Sequence, residues 1–238
     1  MPDNTKRPSA DRSEHPGGRL FGRNKDKTLK PRQARLVEEL LPKVSFSAED
    51  IAARIEAHQG AVAFEIGFGG GEHLAWQAER HPDTLFFGAE PFINGVAKLL
   101  IQIEERKLPN VLVLEGDARP ALEAVPDGAL QTLYLLQPDP WPKKRHHKRR
   151  MVSQWFLSEA ARAIKKGGEL RISSDIADYI RWTLMHWQML EREGGAFDWQ
   201  AEAMSDWTDP GEDWPKTRYM AKGEAAGRPV TYLTFTKR

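Results

Sequence analysis

The stretch Ala61-Val-Ala-Phe-Glu-Ile-Gly-Phe-Gly-Gly-Gly-Glu72 decides the fold class of this chain. Residues 61–66 are a short, mostly apolar run, which predicts a buried strand. The glycines after it predict a tight loop, and the residues that follow, as far as Glu79, have a helix-like pattern. A strand, a glycine-rich loop and a helix in this order are typical of the first unit of a ligand-binding α/β sheet.

The same alternation of elements continues along the chain on both sides of this unit. Further strands are predicted at residues 85–89, 111–114, 130–136, 169–173 and 230–235. Helices are predicted at residues 33–41 (stopped by Pro42), 47–57 (capped by Ser47), 94–106, 154–165 and 177–193. This order predicts an α/β fold, with a single Rossmann-like domain built on a doubly wound, mostly parallel sheet.

The composition narrows the possible classes of function. Cysteine is absent from the 238 residues, which excludes disulfide scaffolds, thiolate zinc sites, iron–sulfur clusters and cysteine nucleophiles. The sequence contains no run of about twenty apolar residues that could span a membrane. The N-terminal residues also lack the apolar stretch of a secretory signal, so we expect a cytosolic protein.

The net charge of +1 conceals an uneven charge distribution. Residues 1–36 carry ten Lys or Arg and four Asp or Glu, and the head of the chain has few large apolar residues. We therefore predict a flexible basic arm over residues 1–32 and a folded domain over residues 33–238. A second basic run, Lys143–Arg150, has six formal positive charges and two histidines. It favours a polyanion as partner, although a solvated surface would explain such a run equally well.

Four acids stand at or just after the ends of predicted strands, and all four are candidates for ligand binding. These are Glu65, Glu90, Asp117 and Asp139. Open α/β sheets bind ligands at the carboxyl ends of their strands, so we expect the four carboxylates to lie close together.

The glycine loop departs from a dinucleotide fingerprint at one position. Gly67 and Gly69 match the first two glycines, but Glu72 stands where the third would fall. Its carboxylate would repel a phosphate, so the loop suits a nucleoside ligand without pyrophosphate, of which S-adenosylmethionine is the commonest candidate. Glu90 has the spacing to accept hydrogen bonds from ribose hydroxyls, and Asp117 could reach the adenine edge.

The segment Pro138-Asp-Pro-Trp141 places a carboxylate between two prolines, whose fixed φ restricts the backbone, and next to an aromatic ring. The longer stretch Leu-Gln-Pro-Asp-Pro-Trp-Pro-Lys-Lys-Arg-His-His-Lys-Arg-Arg, Leu136–Arg150, closely resembles the signature of the tRNA (guanine-N7-)-methyltransferase family. Further matches are Phe64–Glu72, Gly88–Glu90, Ser174–Asp175, Thr217–Tyr219 and Lys222–Gly223. The resemblance covers residues 33–238 in order.

The resemblance implies a class I S-adenosylmethionine-dependent methyltransferase of the bacterial, single-subunit type, acting on a guanine in the variable loop of tRNA. It implies that the cofactor site holds Glu65, Gly67, Gly69, Glu90, Asp117 and Asp139, with Asp139 also the catalytic residue. It implies that the substrate is contacted by Lys143, Asp175, Thr217, Arg218, Tyr219 and Met220. It implies that RNA is contacted by Arg145, His146, His147, Lys148, Arg149 and Arg150.

One position departs from the family pattern. Met220 stands where the family usually has glutamate, and a thioether cannot accept a charge-assisted hydrogen bond. The sequence leaves open a weaker activity or a replacement by another acid.

The chemistry implied for guanine N7 makes modest demands on the protein. N7 has an in-plane lone pair and no proton, so it can attack a sulfonium methyl without a general base or a metal. Positioning should then dominate the rate enhancement, with Asp139 holding the base or stabilising the developing positive charge.

Three alternatives stay open. They are methylation of an exocyclic amine, a non-catalytic tRNA-binding protein on a methyltransferase fold, and a nicotinamide dehydrogenase, which Glu72 disfavours. The sequence shows no heptad repeat, and nothing in it indicates an obligatory protein partner.

Aromatic residues are concentrated between the fifth strand and the C-terminal motif. Trp182, Trp187, Trp199 and Trp207 lie there, and packing is a better explanation for them than stacking on RNA bases. Residues 206–215 contain too many turn residues for regular structure and predict a loop over the pocket.

Overall fold

The computed structural model describes residues 15, 17, 18, 20, 21, 28–212, 214, 215, 225 and 227–238. The helices are α1 (Pro31–Glu39), α2 (Leu41–Val44), α3 (Ile51–Glu56), α4 (Glu72–Arg80), α5 (Ile93–Arg106), α6 (Ala118–Ala124), α7 (Gln154–Ala163), α8 (Ala177–Arg192) and α9 (Ser205–Thr208). The strands are β1 (Val62–Ile66), β2 (Leu85–Glu90), β3 (Val111–Glu115), β4 (Leu130–Leu136), β5 (Ile164–Ser174), β6 (Phe197–Asp198) and β7 (Thr231–Lys237). A 3₁₀ helix covers Lys144–Arg149.

The strands form one seven-stranded sheet in the order β3-β2-β1-β4-β5-β7-β6. The first five strands of this order pair in parallel, and β7 runs antiparallel between β5 and β6. The chain order reverses between β1 and β4, which is where open α/β sheets bind ligands. The predicted α/β class with a doubly wound, mostly parallel sheet is confirmed.

Both faces of the sheet are covered, which explains the nearly continuous apolar runs in the strands. Successive residues of a strand point to opposite faces. Phe64 and Phe87 pack into one buried cluster, while Ala63 and Phe86 belong to the cluster on the other face. The edge of the sheet at the carboxyl ends of the strands is left to loops, and these loops build the site.

The helix α6 is a correction to the sequence prediction, which placed no helix between β3 and β4. Two parallel strands require a crossover, and α6 supplies it. Asp117 is its N-cap, with Oδ1 accepting the N–H of Arg119 at 3.1 Å. Pro120 falls in the first turn, where a missing N–H costs nothing.

The two N-terminal helices begin and end differently from the prediction. The predicted helix 33–41 is interrupted at Leu40, and Pro42 lies in the first turn of α2 instead of stopping a helix. The predicted helix 47–57 begins only at Ile51, because Asp50 Oδ1 accepts the N–H of Ser47 at 2.7 Å and closes a turn before it.

The predicted start of the fifth strand, at residue 169, is also wrong. β5 begins at Ile164 and runs through Gly167 and Gly168, with an irregular register opposite Leu130 and Thr132. The short elements β6 and α9 were not predicted.

The tryptophans of the C-terminal half pack against the core. Trp182, Trp187 and Trp199 are partly buried against the main cluster, with the rings of Trp187 and Phe235 5.8 Å apart. The packing interpretation is confirmed for these three. In the described part of the chain, no helix combines the length and apolarity needed to cross a membrane.

Candidate active site

A cavity of about 680 Å³ opens at the carboxyl ends of β1, β2, β3 and β4. It brings together all of the predicted cofactor residues: Glu65, Gly67, Gly69, Glu90, Asp117 and Asp139. Trp214 also lines it, as expected for a loop over the pocket. A second, more open depression of about 400 Å³ lies between α1 and α5 and contains none of the predicted site residues.

The glycine loop between β1 and α4 lines the cavity with main-chain atoms that no side chain covers. The N–H of Gly67 donates to the carbonyl of Ala89 at 2.8 Å, and Gly67 has a φ of 71°. This left-handed backbone favours glycine. A Cβ built on Gly67 would meet no atom within 4 Å, so its α-carbon borders open space. A ligand can therefore approach the main chain closely there.

Glu72 lies at the start of α4, beside the glycine loop. A Cβ built on Gly70 would lie 2.8 Å from Oε1 of Glu72, which places the carboxylate against the loop. The positive end of a helix dipole is where dinucleotide-binding proteins hold a pyrophosphate. Here a side-chain anion stands at that helix end, which supports the interpretation of a nucleoside ligand without pyrophosphate.

Glu65 is buried and paired with a histidine that the sequence analysis did not identify. Nδ1 of His73 lies 2.7 Å from Oε2 of Glu65, and both side chains are buried. The two side chains are hydrogen-bonded to each other, and a carboxylate in its ionised form accepts this bond from Nδ1–H. The His73 ring is 4.8 Å from the rings of Tyr134 and Trp214. No sequence signal connects a strand acid with a helix histidine eight positions later.

Glu90 ties the end of β2 to the glycine loop. Its Oε2 accepts the N–H of Gly69 at 2.8 Å, and its Oε1 accepts the N–H of Phe92 at 3.1 Å. These bonds fix the plane of the carboxylate at the cavity wall. A carboxylate oxygen can accept more than one hydrogen bond, and contact between Glu90 and ribose hydroxyls stays a prediction.

Asp117 is held by Arg119 in two ways. The N–H of Arg119 donates to Oδ1, and its guanidinium Nη1 donates to Oδ2 at 2.7 Å. The Arg119 side chain is itself buried. Contact between Asp117 and an adenine edge stays a prediction.

Asp139 is exposed at the cavity, and within the described residues its carboxylate has no hydrogen-bond partner. The residues on either side of the Pro-Asp-Pro segment have left-handed backbones, with φ of 49° at Gln137 and 41° at Trp141. Such a conformation costs a non-glycine residue on the order of 1–3 kcal/mol, so the surroundings must hold it. The site therefore presents, on a constrained loop, a carboxylate that no described residue engages.

Asp175, predicted from the family resemblance to contact the substrate, lies next to this loop. Its N–H donates to Oε1 of Gln137 at 3.2 Å, and its Oδ2 accepts Nε of Arg228 at 2.9 Å. The N–H of Gln137 donates to the carbonyl of Ser173 at 2.9 Å. The ends of β4 and β5 are thus joined at the cavity. Lys143, also predicted to contact the substrate, is exposed, while Thr217, Arg218, Tyr219 and Met220 lie outside the described residues.

The basic run forms a 3₁₀ helix beside Asp139, and its side chains do not share one environment. Those exposed to solvent are Lys143, Lys144, Arg145 and Lys148. The pKa of His146 is lowered, first by desolvation and then by the charges of Arg149, Arg145 and Lys143. His147 is partly buried, with its ring 5.3 Å from that of Trp182.

Arg149 and Arg150 turn toward the protein. The Arg149 guanidinium lies over the rings of Phe21 and Trp141, at 4.3 and 4.8 Å. The side chain of Arg150 is 1% exposed, and its Nε donates to the carbonyl of Pro140 at 2.9 Å. The Arg150 cation is thus inside the domain and bonded to protein groups, and its contact with RNA stays a prediction.

Two described residues of the predicted N-terminal arm reach the cavity. Leu20 and Phe21 line it, and the rings of Phe21 and Trp141 are 6.1 Å apart. Farther back, Nε2 of His15 lies 3.0 Å from Glu123. The flexible arm over residues 1–32 stays a prediction, because most of that range lies outside the described residues.

The sheet order, the antiparallel β7 and the cavity at the glycine loop define a class I S-adenosylmethionine-dependent methyltransferase domain. Solved structures of methyltransferases share this fold. The 16S rRNA methyltransferase KamB superposes with a TM-score of 0.55 at 16% identity, covering 81% of this chain and 94% of that one. The aminoglycoside resistance methyltransferase NpmB1 gives a TM-score of 0.52 at 16% identity, covering the same 81% and 94%.

Sequence comparisons identify the family. A family model described as a putative methyltransferase matches residues 59–233. A tRNA (guanine-N(7)-)-methyltransferase of Brucella melitensis is 45% identical, covering 93% of this chain and 95% of that protein. One of Agrobacterium fabrum is 44% identical, covering 92% and 95%. The chain belongs to the tRNA (guanine-N7-)-methyltransferase family.

Proposed function

We propose that this protein transfers the methyl group of S-adenosylmethionine to N7 of a guanine in tRNA, forming 7-methylguanosine. The observation that carries the proposal is one cavity at the switch point of the sheet, lined by Glu65, by Glu90 and by Asp139, whose carboxylate has no partner among the described residues. Relatives at 44–45% identity carry the name of this activity.

The groups that line the cavity suit S-adenosylmethionine, which supplies an electrophilic methyl group on a sulfonium when bound. Glu90 presents acceptors for ribose hydroxyls, and the buried Glu65 presents an anion that suits the ammonium group of the methionine part. Gly67 leaves room for the ligand to approach the main chain closely. The carboxylate of Glu72 would repel a phosphate group bound at the glycine loop. The proposal requires no metal, and the described residues include no group of three His, Asp or Glu side chains able to hold one.

Asp139 is the catalytic residue of the proposal. A bond forms between guanine N7 and the methyl carbon while the bond from that carbon to sulfur breaks, so sulfur becomes neutral and the base becomes cationic. N7 has no proton to lose, and no base has to remove one. The Asp139 carboxylate stabilises the new positive charge or accepts the N–H groups of the guanine edge, and its fixed backbone keeps it placed for either role.

The exposed cations next to Asp139 give the site its preference for RNA. Lys143, Lys144, Arg145 and Lys148 are free of protein ion pairs among the described residues and can bind phosphates. Phosphate contacts supply affinity and register, while the choice of guanine has to come from RNA shape and an unstacked base. The cytosolic location stays a prediction and agrees with a tRNA substrate.

The proposal is tested by incubating the protein with S-adenosylmethionine and tRNA that lacks 7-methylguanosine, and quantifying nucleosides by mass spectrometry. Asp139→Ala should yield no product above background. The matched control is Asp83→Asn, an exposed carboxylate before β2 at the opposite end of the sheet, which should behave as the unmutated protein does. Melting temperatures establish that both variants are folded.

A second substrate distinguishes the alternatives. Replacing guanine by 7-deazaguanine removes the nitrogen that accepts the methyl group, so product should disappear. An unchanged yield would instead identify an exocyclic amine as the acceptor. Binding of tRNA and cofactor without any product from natural guanine would identify a non-catalytic RNA-binding protein and direct attention to Met220.

A further inference from the structure

Arg150 ends the basic run but differs from the rest of it in burial. Lys148, two residues earlier, is exposed, whereas the Arg150 side chain is only 1% exposed. A buried guanidinium has lost its water and needs protein partners to compensate. Its partners show what it does.

The Arg150 guanidinium connects the Asp139 loop to α8. Its Nε donates to the carbonyl of Pro140, the residue directly after Asp139, at 2.9 Å. Its Nη2 donates to Oδ2 of Asp178 at 2.5 Å. The flat face of the group lies over the rings of Tyr179 and Trp182, at 5.5 and 5.1 Å.

The surface that holds Arg150 is part of the core. Tyr179 is completely buried, and this burial raises the pKa of its hydroxyl. The Tyr179 hydroxyl accepts the N–H of Val152 at 3.3 Å, and Nε1 of Trp182 donates to the carbonyl of Val152 at 2.8 Å. The chain just after Arg150 is therefore attached to the same helix, which gives the loop a rigid support.

We propose that Arg150 is a positioning residue that sets the place of the Asp139 carboxylate by holding the Pro140 carbonyl against α8. The inference rests on the proposed function, since Asp139 must act on a substrate for its position to matter. The loop needs such support because Trp141, its second flank, has a left-handed backbone. The rigid guanidinium donates to the carbonyl and to the carboxylate from two different nitrogens, whereas lysine has a single nitrogen, so lysine is not an equivalent replacement.

The test compares Arg150→Lys and Arg150→Met with Lys148→Met, which removes an exposed charge from the same turn. Steady-state methylation gives kcat and KM for tRNA, and titrations at several salt concentrations give the slope of log K against log salt. Arg150→Lys should lower kcat on the order of 10-fold or more, with KM within about 3-fold. Arg150→Met should leave the salt slope unchanged, whereas Lys148→Met should reduce it by about 0.7–0.9.

Two results would overturn the inference. One is a salt slope that falls in Arg150→Met as it does in Lys148→Met, which would make Arg150 a phosphate contact. The other is an unchanged kcat in Arg150→Lys while the unmutated protein is active. Should Arg150→Met fail to fold, Asp178→Asn takes its place, because it weakens the same support from outside the cavity and should lower kcat with an unchanged salt slope. An inactive unmutated protein would contradict the proposed function instead.

Discussion

The cofactor wall of the cavity and the Asp139 loop hold their carboxylates in opposite ways. Glu65, Glu90 and Asp117 each accept hydrogen bonds from a protein group, namely His73, the loop N–H groups and Arg119. Asp139 accepts none from the described residues, and only its backbone is held. A carboxylate can thus be oriented through its side chain or through its main chain, and the second way leaves its oxygens available to a substrate.

The two arrangements have different consequences for stability. A hydrogen bond to a charged group contributes about 1.5–3 kcal/mol, and a buried partner left alone costs more. Changes on the cofactor wall should therefore affect folding and binding together. Changes at Asp139 should affect the reaction alone.

The largest effect is expected for Asp139→Asn, which keeps the size and removes the charge. We expect kcat to fall on the order of 10²–10³-fold, a loss typical of a preorganised electrostatic contact. The melting temperature should not change, because no described group loses a partner. Single-turnover methylation and thermal unfolding measure the two quantities. A fall in melting temperature along with the rate would contradict the claim that Asp139, unlike the carboxylates of the cofactor wall, does not contribute to stability.

A smaller effect is expected on the other wall for His73→Phe, which leaves the buried Glu65 carboxylate without its donor. The dissociation constant for S-adenosylmethionine should rise on the order of 10-fold, and the melting temperature should fall. His73→Asn retains a donor near Nδ1 and should recover part of both losses. Calorimetric titration and thermal unfolding test this expectation, and equal behaviour of the two variants would show that the hydrogen bond is unimportant.

Pro140→Ala examines the main-chain support directly. The freed φ should let Asp139 sample more positions and lower kcat by about 3- to 10-fold. Stability should change by no more than about 1 kcal/mol. Pro109→Ala, at an exposed position before β3, is the matched control. If kcat is the same in both variants, the prolines around Asp139 do not orient it.

The smallest effect concerns pH. Arg150 lowers the pKa of Asp178, mainly through its hydrogen bond and also through its charge. A carboxyl group with a depressed pKa stabilises the fold fully above its ordinary pKa of 3.8 and loses that contribution as the pH falls below it. The free energy of unfolding should therefore decrease less in Asp178→Asn than in the unmutated protein when the pH is lowered from neutral to below 3.8. Urea unfolding across that range measures the difference, and parallel curves would contradict it.

Much of the sheet followed from the sequence because its central strands are buried on both faces and are therefore nearly continuous apolar runs. The helix α6 was not predicted, because a proline near its start, Pro120, argues against a helix in the sequence. Asp117 caps this helix, and Pro120 is tolerated because it lies in the first turn. β6 escaped prediction because it has two residues and exists only by pairing with β7.

The cofactor residues could be predicted because parallel strands place their carboxyl ends on one edge. Their internal partners could not, because His73 and Arg119 reach them only through the packing of helices on the sheet. The burial of Arg150 within the basic run could not be predicted for a related reason. Charge alone does not tell which cation folds inward, and the rings that receive it lie about thirty residues later, on α8.

The placement of β7 has a consequence for synthesis on the ribosome. β6 is translated before β7, yet it pairs with β7, which inserts between β6 and β5. Until Leu233 and Phe235 emerge from the ribosome, the edge of β5 that pairs with β7 has no partner strand. A nascent chain at this stage exposes an unpaired strand edge, which can pair with a strand of another chain until β7 covers it.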